Sequence, residues 1–246
     1  MHPRRRLLKR IGASLGLVGS SVLLSKITPP IYAQSTPIEI EPGSFVSPAD
    51  YIVFEENGKY YAKNGKTGEV DFGPETDAST VVEDVISALA EGGHVHLARG
   101  EYIVTSRIDL SDKIMLTGEG PSTILKLADG ANCTVLYVNG ENIVVKNLAI
   151  DGNKENQTAE PIRGVHMIGC TDCIVENVFV KNAKDRGVEL DGSEGCILKK
   201  LVITDCGLEN SDHGLMLWSG DKTVYRGHVI DGLVVKRTAA NDIDLG

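Results

Sequence analysis

Positive charge is scarce in this chain. Lys and Arg total 25 against 34 Asp and Glu, for a formal net charge of −9. Six of the basic groups lie in the first 33 residues, which hold no acidic ones, so the chain without that segment carries −15. Such a surface repels the phosphates of DNA and RNA, and no basic stripe offsets it. It also repels a polyuronate unless a cation such as Ca²⁺ bridges the two. Long apolar runs are missing as well: Ile11 to Leu24 is diluted by Gly and Ser, too short for a span. Of 5 cysteines, Cys170 and Cys173 have C-x-x-C spacing, but no second Cys or His pair stands at zinc spacing from them. Aromatics make up 5% of residues, with a single tryptophan, and helical periodicity is confined to one segment.

The N-terminus opens with Arg4-Arg5-Arg6-Leu7-Leu8-Lys9, continues into the diluted apolar stretch, and reaches Ala33. Residues 1–33 therefore read as a signal peptide. The paired arginines resemble a twin-arginine signal. Export from a prokaryotic cell follows, to a secreted or cell-surface location. Residues 34–50 lack periodicity and read as a linker.

Residues 51–76 read as a β-meander, with Asn57-Gly58 as a hairpin turn and Asn64-Gly65 beginning a second. Residues 80–90 carry the helix. Thr80 and Glu83 suit a capping box, and Val81, Val82, Val85, Ile86 and Leu89 form one apolar stripe. Its expected task is to cover the open apolar end of the strand-rich region that begins at Gly93.

From Gly93 onward the chain reads as short strands. Ile143 to Ile150, Cys173 to Val180 and Cys196 to Ile203 align, stacking Val145/Val175/Leu198 and Leu148/Val178/Leu201 inward. Cys173 and Cys196 occupy one inward position, as small buried thiols rather than disulfide partners. Asn147 and Asn177 share a bend. A second motif returns four times: Arg163-Gly-Val-His-Met167, Arg186-Gly-Val-Glu-Leu190, His213-Gly-Leu-Met-Leu217 and Asn241-Asp-Ile-Asp-Leu245, at spacings of 23, 27 and 28 residues. Repeats of about 20 to 50 residues mark a solenoid, in which each unit buries its apolar face against its neighbours. The fold class is all-β: a right-handed parallel β-helix over residues 77–246, with an N-terminal capping helix and the short meander before it. No polar coil caps the last motif, so further coils or a homo-oligomer are expected there.

Gly92-Gly-His-Val-His-Leu-Ala-Arg-Gly-Glu-Tyr102, Leu116-Thr-Gly-Glu-Gly120 and Leu148-Ala-Ile-Asp-Gly-Asn153 resemble the pectate-lyase-like superfamily. The likeness is to its polygalacturonase-related, exported prokaryotic members, and it covers roughly residues 75–246. It implies a cleft along the motif-bearing sheet, flanked by loops 151–163 and 205–213. It also implies cleavage of a polysaccharide by lyase or glycosidase chemistry. The alternative is a non-catalytic surface or matrix protein that binds glycans or serves as a rigid scaffold, since the superfamily contains those too. The polygalacturonase set of Asn-Thr-Asp, Asp-Asp, Gly-His-Gly and Arg-Ile-Lys is absent, with Asp212-His213-Gly214 only a fragment of it. The Asp-Pro-His-Glu of alginate epimerases is absent as well.

Strand alternation turns three columns outward. The first holds His166, Glu189, Met216 and Asp244; the second Ile168, Asp191, Trp218 and Gly246; the third Arg163, Arg186, His213 and Asn241. Arg163, His166 and Trp218 suit substrate binding, the tryptophan against a sugar ring. Glu189, Asp191, Arg186, His213 and Asp244 are the catalytic candidates. Glu189 and Asp191 are expected about 6.6 Å apart, and Glu189 and Asp244 about 9.6 Å, close to an inverting glycosidase's roughly 6.5–9.5 Å. For a lyase, Asp191 or Glu189 would hold Ca²⁺ against a uronate while Arg186 or His213 takes the α-proton.

Overall fold

A computed structural model describes residues 49–159, 161–207, 213–218, 227–238 and 243–244. The signal segment, most of the linker, Asp212, Asn241 and Gly246 lie outside the described residues. Three strands, β1 (Tyr51–Glu56), β2 (Lys59–Asn64) and β3 (Val70–Glu75), form the antiparallel meander. Asn57 and Gly58 have φ of 55° and 72°, the paired left-handed residues that a two-residue hairpin turn requires.

The helix is α1 (Ala78–Ala88), and it starts earlier than the Thr80–Glu83 box predicts. Asp77 is the N-cap, accepting from Ser79 N at 3.0 Å and also from Thr105 N at 3.1 Å. Glu83 does not reach back to the helix start. Its Oε1 accepts the N–H of Asp109 at 2.5 Å, in the first coil's strand. Asp77 prevails as the cap because one carboxylate satisfies both the helix start and a neighbouring coil. Val81, Val82, Val85 and Ile86 are buried against the coils. The helix thus covers the apolar end and satisfies an edge N–H in one stroke.

The coils run β4 (Gly93–Leu97), β5 (Gly100–Val104), β6 (Ile108–Leu110); β7 (Ile114–Thr117), β8 (Thr123–Leu127), β9 (Leu136–Val138); β10 (Val144–Asp151), β11 (Val165–Ile168); β12 (Ile174–Lys181), β13 (Val188–Asp191); β14 (Ile197–Lys199), β15 (Val202–Thr204), β16 (Leu215–Trp218); and β17 (Val229–Asp231), β18 (Val234–Lys236), β19 (Ile243–Asp244). Each strand pairs in parallel with its counterpart one coil on. One sheet runs β6-β9-β11-β13-β16-β19; the other contains β4-β7-β10-β12-β14-β17. The result is a parallel β-helix. The meander does not stand apart, because β1 pairs in parallel with β4 and continues that sheet.

The repeat is legible in the packing. Ile143, Cys173 and Cys196 stack at 0% exposure, and the five cysteines are free thiols. Asn147 and Asn177 take φ of 57° and 53°, and Asn177 Nδ2 donates to Asn147 Oδ1 at 2.9 Å, a polar ladder at the bend. The motif glycines have a steric cause. A Cβ on Gly187 would lie 2.3 Å from Ile203 Cγ2 and 2.7 Å from Gly214 O, so the chain can pass over the core there only without a side chain. No described helix is long and apolar enough to cross a membrane.

Candidate active site

The β6-to-β19 sheet carries the site because its register aligns outward side chains coil by coil. Asp109 pairs with Tyr137, Tyr137 with His166, His166 with Glu189, Glu189 with Met216, and Met216 with Asp244. A parallel column holds Ile168, Asp191 and Trp218. Just before the strands, Gly164 N donates to Arg186 O and Gly187 N to His213 O, so the third column also stacks.

Accessibility departs from the simple outward picture. Glu189 is only 2% exposed, because Arg163 and Arg186 fold over it. Arg163 Nε donates to Glu189 Oε2, and Arg186 Nη1 stands 3.6 Å from the same oxygen. Asp185, buried as well, accepts from Arg186 Nη1 at 2.9 Å and lies 4.0 Å from Arg163 Nε. Two guanidinium groups are thus pinned by two buried carboxylates. The terminal Nη1 and Nη2 of Arg163 hydrogen-bond to no described residue.

This geometry corrects the expectation of Glu189 as an accessible acid or base, since its carboxylate is committed to arginine. Of the pair expected to hold Ca²⁺, Glu189 has its Oε2 engaged by Arg163. No group of three or more His, Cys, Asp or Glu among the described residues is placed to hold a metal ion. His213 is buried at 8% exposure rather than presented to solvent. Asp191 is half-buried, and Trp218 is 48% exposed. Asp244 is placed by its pairing with Met216.

Beside the arginines opens a cleft of about 620 Å³, lined by Arg107, Asp109, Cys133, Tyr137, Arg163 and His166 among others. Arg107 stacks over the Tyr137 ring at 3.9 Å and donates through Nη2 to Asp109 at 2.9 Å. His166 packs edge-on against Tyr137, with centroids 5.4 Å apart. Its Nε2 is buried without a hydrogen-bond partner, 3.9 Å from Glu189 Oε2. Burial, then the charges of Arg163, Arg107 and Arg186, push its pKa down to about 4. At neutral pH His166 is therefore an uncharged imidazole among three cations.

That shift has a measurable consequence for stability. Between pH 6.5 and about 4 the unfolded chain takes up a proton at residue 166 that the folded chain refuses. Stability therefore falls as pH drops through that window, by about 3 kcal/mol in all, and is indifferent to this group above it. Chemical denaturation at stepped pH measures the slope, and His166→Gln should remove most of it. His96, also lowered chiefly by burial, accounts for a remainder of the same sign.

Arg107, Asp109, Tyr137 and Asp185 are not singled out by the sequence motif. Ile108-Asp-Leu110 and Leu136-Tyr-Val138 share the alternation of Val188-Glu-Leu190 but lack the preceding glycine, so two coils of the column stay hidden. The loop start at Asp151 is turn chemistry: Asp151 Oδ1 accepts from Asn153 N at 3.0 Å, and Asn153 has φ of 47°.

The family model for rhamnogalacturonase A/epimerase, pectate lyase-like, matches residues 70–236. The chain belongs to this family. No curated protein matches the sequence. Among solved structures, ORF18 of Geobacillus virus E2 is similar at TM-score 0.56 and 16% identity, covering 78% of this chain and 46% of that one. A candidate glycosyl hydrolase from Parabacteroides merdae gives TM-score 0.51 and 14% identity, covering 65% and 89%. The A-module of a mannuronan C-5 epimerase from Azotobacter vinelandii gives 0.47 and 21%, covering 68% and 59%. The pectate lyase-like chain spans less than half of the viral protein's length, and its likeness to the first two structures is one of fold. It is a β-helix of a carbohydrate-active family.

Proposed function

We propose that this chain is exported and cleaves an acidic polysaccharide by β-elimination on the β6-to-β19 sheet. The observation that carries the reading is the uncommitted end of Arg163 beside an uncharged His166 in one cleft. A uronate carboxylate needs a planar, bidentate cation, and Arg163 has two terminal amino groups to give. Pairing there withdraws charge from the carboxylate and acidifies the proton on the neighbouring carbon. His166, unprotonated at neutral pH, is the group to accept that proton; the bond to the leaving glycosidic oxygen then breaks, that oxygen takes up a proton from water, and an unsaturated uronate remains. The substrate's charge also raises the His166 pKa on binding, bringing it toward the working range of a general base. Trp218, 48% exposed, offers an apolar face to a neighbouring sugar ring.

Most glycosidases use two accessible carboxylates across the scissile bond, and the burial of Glu189 removes it from the three carboxylates Glu189, Asp191 and Asp244 expected there. The acidic surface disfavours a polyuronate at long range, and the arginine cluster is the local exception. Export rests on the basic-then-apolar N-terminus.

The test is incubation of the full chain with polyuronates and with neutral polysaccharides, following ultraviolet absorbance of the unsaturated product and reducing ends together. Absorbance from the acidic polymers alone is expected. Reducing ends without absorbance would mean hydrolysis, with Asp191 the carboxylate to pursue; binding without turnover would leave a glycan-binding protein.

A further inference from the structure

The opposite sheet carries an outward column that is not polar. Met115, Val144, Ile174, Ile197 and Val229 are in register across five strands, β7 to β17. Their strand neighbours point inward and, from Leu116 to Leu198, are at most 1% exposed, so this column faces out. Met115 is 36% and Val229 51% exposed, and the three between are half-buried. The column begins at His94 in the first coil and is apolar in the five coils that follow, and nothing among the described residues accounts for an outward position on a β-helix staying apolar over five coils.

Two residues further along the same strands runs a charged column: Lys146, Glu176, Lys199 and Asp231. The signs alternate, and Lys146 Nζ lies 3.0 Å from Glu176 Oε2. Taken from its other end, the column has the opposite sign at every place. A copy of the chain laid face to face and antiparallel therefore sets Lys146 over Asp231 and Glu176 over Lys199, twice each. The same motion sets Val144 on Val229 and Ile174 on Ile197. A parallel copy, turned about an axis along the coils, reverses the strands, so the apolar and charged columns cannot both meet their own kind, and where the charged columns do meet, Lys146 faces Lys146 and Glu176 faces Glu176.

We propose that this face binds a second copy of the chain, antiparallel, about a two-fold axis that passes between the β12 and β14 coils. The contact is isologous, with an apolar centre and a charged margin that selects the orientation. Four coils span about 14 Å, a small contact, so the association is reversible. The surface lies on the sheet opposite the cleft, which leaves the proposed active site open in the pair.

Sedimentation of the full chain over a concentration series tests this. The mass should double as concentration rises. Glu176→Lys and Lys199→Glu should each weaken the dimer roughly tenfold or more, because each places like charges opposite one another at both central contacts. An equimolar mixture of the two variants should recover the dimer, each supplying the charge the other needs. The double variant, which keeps net charge and composition, should dimerise like the wild type, and circular dichroism checks that all three fold. A chain that stays monomeric overturns the proposal. So does a dimer indifferent to both reversals, or a mixture of folded variants that fails to reassociate.

Discussion

Glu189→Ala is expected to lower the free energy of unfolding by about 3–5 kcal/mol, the cost of removing one partner from a buried ion cluster. Glu189 sits at 2% exposure with Arg163 hydrogen-bonded to it and Arg186 3.6 Å away. Without it, the two guanidinium groups lose the carboxylate between them and keep Asp185, with Asp191 acting on Arg163 at longer range, so their mutual repulsion is less fully offset. Equilibrium denaturation measures the loss. Glu155→Ala, at an exposed position, should stay within about 0.5 kcal/mol. A Glu189 variant as stable as that control would mean the arginines are held some other way. The same variant should also weaken substrate binding, because Arg163 would no longer be pinned at the cleft edge.

His166→Gln is expected to reduce turnover of an acidic polysaccharide by about 10²- to 10⁴-fold while leaving KM largely unchanged, the signature of a lost general base. Glutamine keeps roughly the volume and polarity of the position, and Arg107, Tyr137 and Arg163 still line the cleft around it. Arg163→Ala should separate from it by raising KM as well, since it removes the group that holds the carboxylate. Equal effects on kcat and KM from both variants would assign His166 a role in positioning rather than proton transfer. Steady-state kinetics on one polymer resolves the two.

Much of the fold was legible because a solenoid repeats its reasons. The same inward position is Ile143, Cys173 and Cys196, and the same bend is Asn147 and Asn177, so each coil repeats the pattern of the last. The helix start was misplaced because Asp77 draws on Thr105, a partner 28 residues away that local capping patterns do not reveal. The site was legible in part. Strand alternation gave Arg163, His166 and Glu189 a common face, since register is all that requires. It could not tell an outward carboxylate from an accessible one: whether Arg163 and Arg186 lie over Glu189 depends on side-chain paths, not parity. Asp185 stayed hidden for the same reason, and Tyr137 and Asp109 because their coils lack the motif glycine.

The most direct measurement compares kcat/KM on one polyuronate as the free acid and as its methyl ester, for the wild type and for Arg163→Ala. Arg163 recognises a charged carboxylate in this account, so the wild type should strongly prefer the free acid and the variant should lose that preference. Equal rates on both forms by the wild type, or a preference that survives the loss of Arg163, would contradict it.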